Sequence, residues 1–76
     1  ELSDDPIKVD VMGLRCPIPV QRARKAIRDN SPGITISLYG DDPESLHDIP
    51  TLLKRLGLNP PIITEIDGGW EFIIIT

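Results

Sequence analysis

The chain has 76 residues, eight of them proline, one cysteine and a formal net charge of −4. This length fits one small domain, residues 1–76, whose thin core excludes an enzyme with a deep cleft. One cysteine excludes an intramolecular disulfide, two-cysteine redox chemistry and cysteine-rich metal sites, and no apolar run is long enough to span a membrane.

The first strand and the first helix are predicted from a change in hydrophobic period. Ile7, Val9 and Val11 alternate with polar residues, which is typical of a strand. Residues 17–30 then have apolar side chains at helical spacing and basic side chains between them. Pro17 fits the first helical position of this amphipathic helix, and residues 30–33 end it.

The second strand and the second helix follow the same alternation. Residues 34–39 form a strand that is half-buried, with Ile34, Ile36 and Leu38 on its covered face. Residues 40–43 turn into a helix whose N-cap is Asp42. Pro50 should kink that helix or restart it from Asp48, and Gly57 should end it. Its apolar stripe is predicted to contain Leu46, Ile49, Leu52, Leu53 and Leu56.

Two further strands complete the chain. Residues 62–66 follow two prolines and are expected at an edge of the sheet. Residues 67–69 make a hairpin turn, and residues 70–76 form a strand that is apolar on both faces and therefore central. The side chains that face away from the helices are either Ile73 and Ile75, or Trp70, Phe72 and Ile74. We expect the resulting apolar patch to contact a partner protein or a second copy of the chain.

The order β-α-β-α-β-β predicts an α/β (α+β) two-layer sandwich. It has a mixed four-stranded sheet with two helices on one face, because right-handed crossovers place both helices on the same side. The turns at residues 13–16 and 40–42 should then be neighbours at one sheet edge, where ligands collect in open α/β sheets.

The stretch around Cys16 is the candidate reactive site. A cysteine at a helix start, next to Arg15, is expected to have a lowered pKa and a reactive thiolate. Gly13 permits a sharp loop, and Pro17 and Pro19 stiffen the first helical turn. The alternative is a buried cysteine that serves as a small hydrophobe. Asp41 and Asp42 are interpreted first as helix caps and second as a polar wall beside the sulfur.

Other chemistries are less well supported by the sequence. His47 is the only histidine and lies near the start of the second helix, from which it could reach the same sheet edge and form a hydrolytic Cys–His pair. One cysteine and one histidine cannot form a structural zinc site, so no metal is expected. A lone cysteine cannot resolve its own mixed disulfide, but it can accept a sulfur atom as a persulfide and pass it on.

The charge distribution predicts one docking surface. The first helix carries four cations in an otherwise acidic chain, and we expect them to meet acidic surfaces of partner proteins: Arg22, Arg24, Lys25 and Arg28. The alternative interpretation is that these four cations are solvated on an exposed helix face and bind no partner. A regulatory or RNA-binding module is the alternative function, although net charge and missing aromatic residues make direct nucleic-acid binding unfavourable. The lack of disulfides and of a leader-like N-terminus favours the cytoplasm.

Residues 10–19, Asp-Val-Met-Gly-Leu-Arg-Cys-Pro-Ile-Pro, resemble the signature of the TusA/SirA-like family of small sulfur-carrier proteins. The similarity continues through residues 24–25, 32–33, 41–43 and 48–50. It implies a fold like the C-terminal domain of translation initiation factor three, with the last strand between the second and third. It also implies that Cys16 carries the sulfur and that its neighbours support it: Gly13, Leu14, Arg15, Pro17, Pro19, Asp41 and Asp42.

The same resemblance implies the partners. Family members take persulfide sulfur from a cysteine desulfurase or a rhodanese-like enzyme and deliver it to an acceptor protein with a reactive cysteine. They serve tRNA thiolation, cofactor biosynthesis or sulfur metabolism, with no cofactor besides the transient persulfide sulfur. The best-known tRNA-thiolation members have Glu between the two prolines, whereas this chain has Ile18, which presents a different surface beside the sulfur.

Overall fold

The computed structural model describes residues 6–30 and 33–76. The predicted acidic start and part of the predicted stop of the first helix, residues 1–5 and 31–32, lie outside them. The order of the elements confirms the predicted β-α-β-α-β-β fold. The elements are β1 (Ile7–Asp10), α1 (Ile18–Asp29), β2 (Thr35–Gly40), α2 (Ser45–Arg55), β3 (Ile62–Ile66) and β4 (Gly69–Ile75).

The four strands form one mixed sheet in the order β1-β2-β4-β3. β1 and β2 are parallel, and β4 is antiparallel to both β2 and β3. Leu38 is the partner of Val9 on one side and of Phe72 on the other. The last strand is therefore central, as its two apolar faces predict, and β3 is an edge strand, as Pro60 and Pro61 predict.

The hydrophobic core lies between one face of the sheet and the two helices. Phe72 and Ile74 of β4 are fully buried in one cluster with Ala23 of α1 and Ile49 and Leu53 of α2. The neighbouring Ile75 is 53% exposed. Since side chains alternate along a strand, Phe72 and Ile74 face the helices, and Ile73 and Ile75 lie on the opposite face. This settles the alternative that the sequence left open.

Strand β2 is more buried than the alternation of its apolar residues indicates. Ser37 lies on the open face of the sheet yet is only 1% exposed. Its hydroxyl donates to a carboxylate oxygen of Glu71 on β4 at 2.5 Å. The prediction of a half-buried strand is thus wrong at Ser37, which Glu71 contacts from β4, whereas Thr35 and Tyr39 on the same face are half-buried.

Helix α2 corrects two further expectations. It runs without interruption through Pro50, so it does not restart at Asp48. Its buried residues are Ser45, Ile49 and Leu53, whereas Leu46 and Leu56 are exposed. The small polar Ser45 occupies a core position that a search for apolar residues passes over. The predicted end at Gly57 is confirmed, with the Leu58 N–H donating to the carbonyl of Leu53 at 2.9 Å.

The two edge strands of the sheet differ in exposure. The four residues of β1 alternate between half-buried and exposed, whereas four of the five residues of β3 are exposed. Ile62 is 58% exposed and Ile63 is 39% exposed. β3 therefore adds little to the core.

None of the helices in the described ranges is long and apolar enough to cross a membrane.

Candidate functional site

Cys16 lies in the loop that joins β1 to α1, beside the loop that joins β2 to α2. The two loops are neighbours at the carboxyl ends of β1 and β2, as the parallel pairing predicts. Gly13 adopts a φ of +80°, which gives the sharp bend that the sequence predicts. Its N–H donates to Asp41 Oδ1 at 2.9 Å, and Arg15 Nη1 donates to the same oxygen at 2.8 Å. These two donors hold the pKa of Asp41 below its ordinary value.

The buried carboxylate of Asp42 fixes the position of the reactive loop. Asp42 is 4% exposed, and its Oδ2 accepts the backbone N–H of Cys16 at 2.8 Å. Its Oδ1 accepts the N–H of Glu44 at 3.0 Å, in the turn that leads into α2. This carboxylate therefore forms a polar wall beside Cys16 and holds the turn before α2. The predicted N-cap is wrong by two residues, because Glu44 occupies the N-cap position of α2 and no side chain caps it.

The first turn of α1 differs from its prediction. α1 begins at Ile18, and Pro17 precedes it with non-helical dihedral angles, after a cis peptide bond from Cys16. Pro19 is the buried second residue of the helix, and Leu14 packs against the core from the loop. The expectation that Pro17 starts the helix is thus wrong by one residue, because its φ of −97° and ψ of 11° are not helical and it occupies the N-cap position.

The sulfur of Cys16 is exposed and faces carboxylates. The alternative of a buried cysteine is therefore wrong. Sγ donates to Asp48 Oδ2 at 3.5 Å. Partial loss of hydration and this hydrogen bond raise the pKa of the Cys16 thiol above its ordinary value, and the charges of Asp48, Glu44 and Asp42 act in the same direction. The expected lowering of the Cys16 pKa is wrong, because three acidic groups surround the sulfur and Arg15 pairs with Asp41 instead.

Glu44 and Asp48 are functional candidates that the search for site residues missed. Their carboxylate oxygens and the sulfur of Cys16 all lie within 4.8 Å of one another, a spacing at which three ligands could share a cation. Structural zinc sites have four ligands, and two of these three are carboxylates, which suit harder metals. Asp48 belongs to the Asp-Ile-Pro run that the resemblance included, and its place one turn into α2 was the signal that could have found it.

His47 is near the site but is not paired with the thiol. Its side chain is 85% exposed, and its Nδ1 lies 3.3 Å from Asp48 Oδ1. The other oxygen of Asp48 accepts from Cys16. A chain of contacts therefore connects the sulfur to His47 through Asp48, without the direct contact that a nucleophilic Cys–His pair needs.

A groove of about 400 Å³ runs from Cys16 between the two helices. Half-buried Val20 and Leu52 line it, and Arg24 of α1 and Arg55 of α2 lie on either side. Arg24 is seven residues after Pro17, which adjoins Cys16, and Arg55 is seven residues after Asp48, which accepts from the sulfur. Since seven residues of helix rise about 10 Å, the groove has the sulfur and its carboxylates at one end and two cations at the other.

The four cations of α1 do not share one surface. Arg24 lines the groove with Cys16, whereas Arg22 and Lys25 line a second depression beside Val9. Lys25 Nζ lies 2.6 Å from a carboxylate oxygen of Asp29, and Arg28 lies 3.6 Å from the other. The structure thus brings together the predicted supporting residues around Cys16, but only one of the predicted docking residues.

Known proteins match this chain over most of its length. The family model described as "Sulfurtransferase TusA" matches residues 7–76. A protein of Archaeoglobus fulgidus named "Putative sulfur carrier protein" is 50% identical over 68 residues, which cover 88% of each chain. Both matches include the reactive loop and α2.

Proposed function

The chain belongs to the TusA family of sulfurtransferases, and on that premise we propose that it carries sulfur as a persulfide on Cys16. The observation that carries this proposal is the placement of the lone thiol. It is exposed at the mouth of a groove, on a loop that Asp42 ties to the second helix. Such a thiol can meet the cysteine of another protein without a deep pocket.

The proposed loading step is an exchange of one sulfur–sulfur bond. The Cys16 thiolate attacks the outer sulfur of a donor persulfide, and the donor cysteine leaves as a thiolate with the bonding electron pair. The Cys16 proton passes to Asp48 or to solvent. No net oxidation or reduction occurs, so the step needs no bound cofactor.

Delivery reverses the roles. A thiolate of the acceptor protein attacks the outer sulfur of the Cys16 persulfide, and Cys16 leaves and regains a proton. The hydrogen bond to Asp48 then holds the thiol in its protonated form. A cysteine desulfurase or a rhodanese-like enzyme is the proposed donor, in a reducing cytoplasm. The acceptor is a protein with a reactive cysteine, and tRNA thiolation, cofactor biosynthesis and sulfur metabolism are the proposed settings.

Mass spectrometry after incubation with a cysteine desulfurase and cysteine tests the proposal. We expect the folded protein to gain one sulfur atom on Cys16 and to lose it when a reductant is added, since a persulfide is reducible whereas a sulfinate is not. Cys16→Ser is the matched control, because the exposed side chain contributes little to the core, and this variant should fold and carry nothing.

The result that would overturn the proposal has two parts. Cys16 would stay unmodified with both desulfurase and rhodanese-type donors, and the Cys16→Ser protein would keep full activity in cells. A salt-sensitive complex with RNA under the same conditions would then favour the regulatory or RNA-binding module.

A further inference from the structure

The groove beside Cys16 has charges of opposite sign at its two ends. The carboxylates of Glu44 and Asp48 lie close to the sulfur, and Asp48 also lines the groove. Arg24 and Arg55 line its far end. Both arginines are exposed, and neither lies among the ion pairs found within the described ranges. The groove can therefore distinguish a segment with its positive charge near the sulfur from one with its negative charge there.

The apolar middle of the groove sets the length of a segment that fits. Val20 and Leu52 are half-buried in the core cluster's outer layer and line the groove between the charged ends. The ends are about 10 Å apart along the helices. An extended chain advances about 3.3 Å per residue, so about three residues span the distance from the sulfur to the arginines.

We propose that this groove binds an extended segment of the partner protein in which a lysine or arginine adjoins the reactive cysteine, an apolar residue follows, and an acidic residue lies about three positions from the cysteine. This proposal rests on the proposed sulfur-carrier function and specifies the partner's recognition sequence. The partner's cation pairs with Glu44 and Asp48, and its acidic residue pairs with Arg24 and Arg55.

Docking of such a segment also activates the thiol. The charged and titratable groups around the sulfur are Asp42, Glu44 and Asp48, with His47 beyond Asp48 and Arg15 held by Asp41. A cation placed between Glu44 and Asp48 offsets their charge and favours the Cys16 thiolate. The carrier alone keeps its thiol protonated and less reactive toward other electrophiles, and it becomes nucleophilic where its partner's cysteine arrives.

Synthetic peptides test the proposal without a sulfur donor. The matched probes are Lys-Cys-Gly-Leu-Glu and the same residues in reverse order, and the charge-swapped probes exchange the lysine and the glutamate. Each cysteine is a mixed disulfide with thionitrobenzoate. The Cys16 thiolate attacks the peptide sulfur, the probe's disulfide breaks, and thionitrobenzoate leaves with the bonding electrons while the Cys16 proton goes to solvent. The absorbance of the released group gives the rate.

The measured quantity is the rate with the better matched probe divided by the rate with the better swapped probe. This rate ratio is then divided by the ratio that free cysteine gives with the same probes. The division corrects for differences in the intrinsic reactivity of the peptides. We expect a ratio of about five at low ionic strength, because two to four exposed ion pairs distinguish the probes, and we expect it to approach one at high salt.

Three variants test whether the groove produces the rate ratio. Glu44→Gln should lower the ratio because it removes a negative charge from the acidic end. The double variant Arg24→Ala, Arg55→Ala should lower it because it removes both positive charges from the basic end. Arg22→Ala is the matched control, because Arg22 is on α1 but lines the other depression, and it should leave the ratio unchanged. Because a ratio is compared, changes in the thiol's own reactivity cancel.

A ratio near one in the unaltered protein, or one that all three variants leave unchanged, would overturn the proposal. Failure of the sulfur-carrier function is detected separately, since it concerns loading by a desulfurase. A protein that discriminates the probes but never takes up sulfur would retain the groove's specificity and lose the proposed chemistry.

Discussion

At the scale of single residues, two carboxylates with different surroundings organise the site. Asp42 is buried and accepts two backbone N–H groups, so it fixes the loop. Asp48 is partly exposed and accepts from the sulfur, so it controls the proton of the thiol. The sequence pointed to Asp42 as a helix cap or a polar wall, and only the wall describes its place, since Glu44 is the N-cap of α2. It assigned no role to Asp48, because the contact with Cys16 joins residues 32 positions apart.

The pH dependence of alkylation should report the hydrogen bond between Cys16 and Asp48. We expect the midpoint for Cys16 to lie above the value of an unstructured cysteine, about 8.5, and Asp48→Asn to lower it. Alkylation by iodoacetamide across a pH series measures both midpoints. Glu65→Gln is the control, since it removes an exposed charge from β3 and should leave the midpoint unchanged. A midpoint at or below that of the unstructured peptide would contradict the raised pKa.

The same shift affects folding stability. Because the folded protein holds the thiol proton more tightly than the unfolded chain, the contribution of Cys16 is fully present below the unfolded pKa. It is lost as the pH rises through the higher folded pKa. Asp41 behaves in the opposite sense, since its lowered pKa contributes stability above its unfolded pKa, which is lost as the pH falls through the folded value.

Removal of the Asp42 carboxylate should cost more than removal of an exposed aspartate. Asp42→Ala leaves the N–H groups of Cys16 and Glu44 without their acceptor, and we expect a loss of about 1–3 kcal/mol. Asp10→Ala is the matched control. Among the residues that the structure describes, Asp10 accepts only the exposed N–H of Met12, so its loss should be within about 0.5 kcal/mol. Urea unfolding measures both, and equal losses would refute the structural role of Asp42.

At the scale of elements, alternation and helical spacing predicted each strand and helix to within about two residues. The two apolar faces of β4 predicted a central strand, and the family resemblance implied its place between β2 and β3. The failures concern four residues: Ser37 and Ser45 are polar residues in covered positions, and Leu46 and Leu56 are apolar residues in exposed ones. Burial of these four depends on neighbours that are distant in sequence, which no local pattern contains.

Two adjacent isoleucines of β4 should differ sharply in their contribution to stability. Ile74 is fully buried against the helices and Ile75 is 53% exposed. We expect Ile74→Ala to cost about 2–5 kcal/mol because it leaves a cavity in the core. Ile75→Ala should cost less than about 1 kcal/mol. Thermal or urea unfolding of the two variants gives the comparison, and a reversed order would place the helices on the other face of the sheet.

At the scale of the whole molecule, positive charge is concentrated in α1 while the chain as a whole is acidic. The sequence predicted this segregation, but not its division between two surfaces. Helical periodicity shows which residues of α1 share a face, but it does not show which face lies beside another element. The position of α2 determines which face of α1 borders the sulfur. Arg24 lies on that side, whereas Arg22 and Lys25 do not.

Sulfur transfer should therefore depend on the four cations unequally. We expect Arg24→Ala to slow transfer from a cysteine desulfurase severalfold and to weaken its salt dependence. Arg22→Ala, Lys25→Ala and Arg28→Ala should each have smaller effects. Transfer rates at several ionic strengths measure the difference. Equal effects of all four substitutions on the transfer rate would show that the partner responds to the total charge of the helix and not to the position of Arg24.

The exposed edge strand β3 also determines how the protein behaves when it is concentrated. An unpaired edge with exposed Ile62 and Ile63 can template intermolecular β-sheet and lead to fibrils. Two features oppose this: Pro60 and Pro61 cannot donate to an incoming strand, and Glu65 brings a repelling charge to each copy. These residues act as gatekeepers against aggregation, and they do so at the edge opposite β1, which is short and carries Lys8 and Asp10. The prolines before β3 and the charged residues of the two outer strands thus oppose intermolecular β-sheet, a role independent of the chemistry at Cys16.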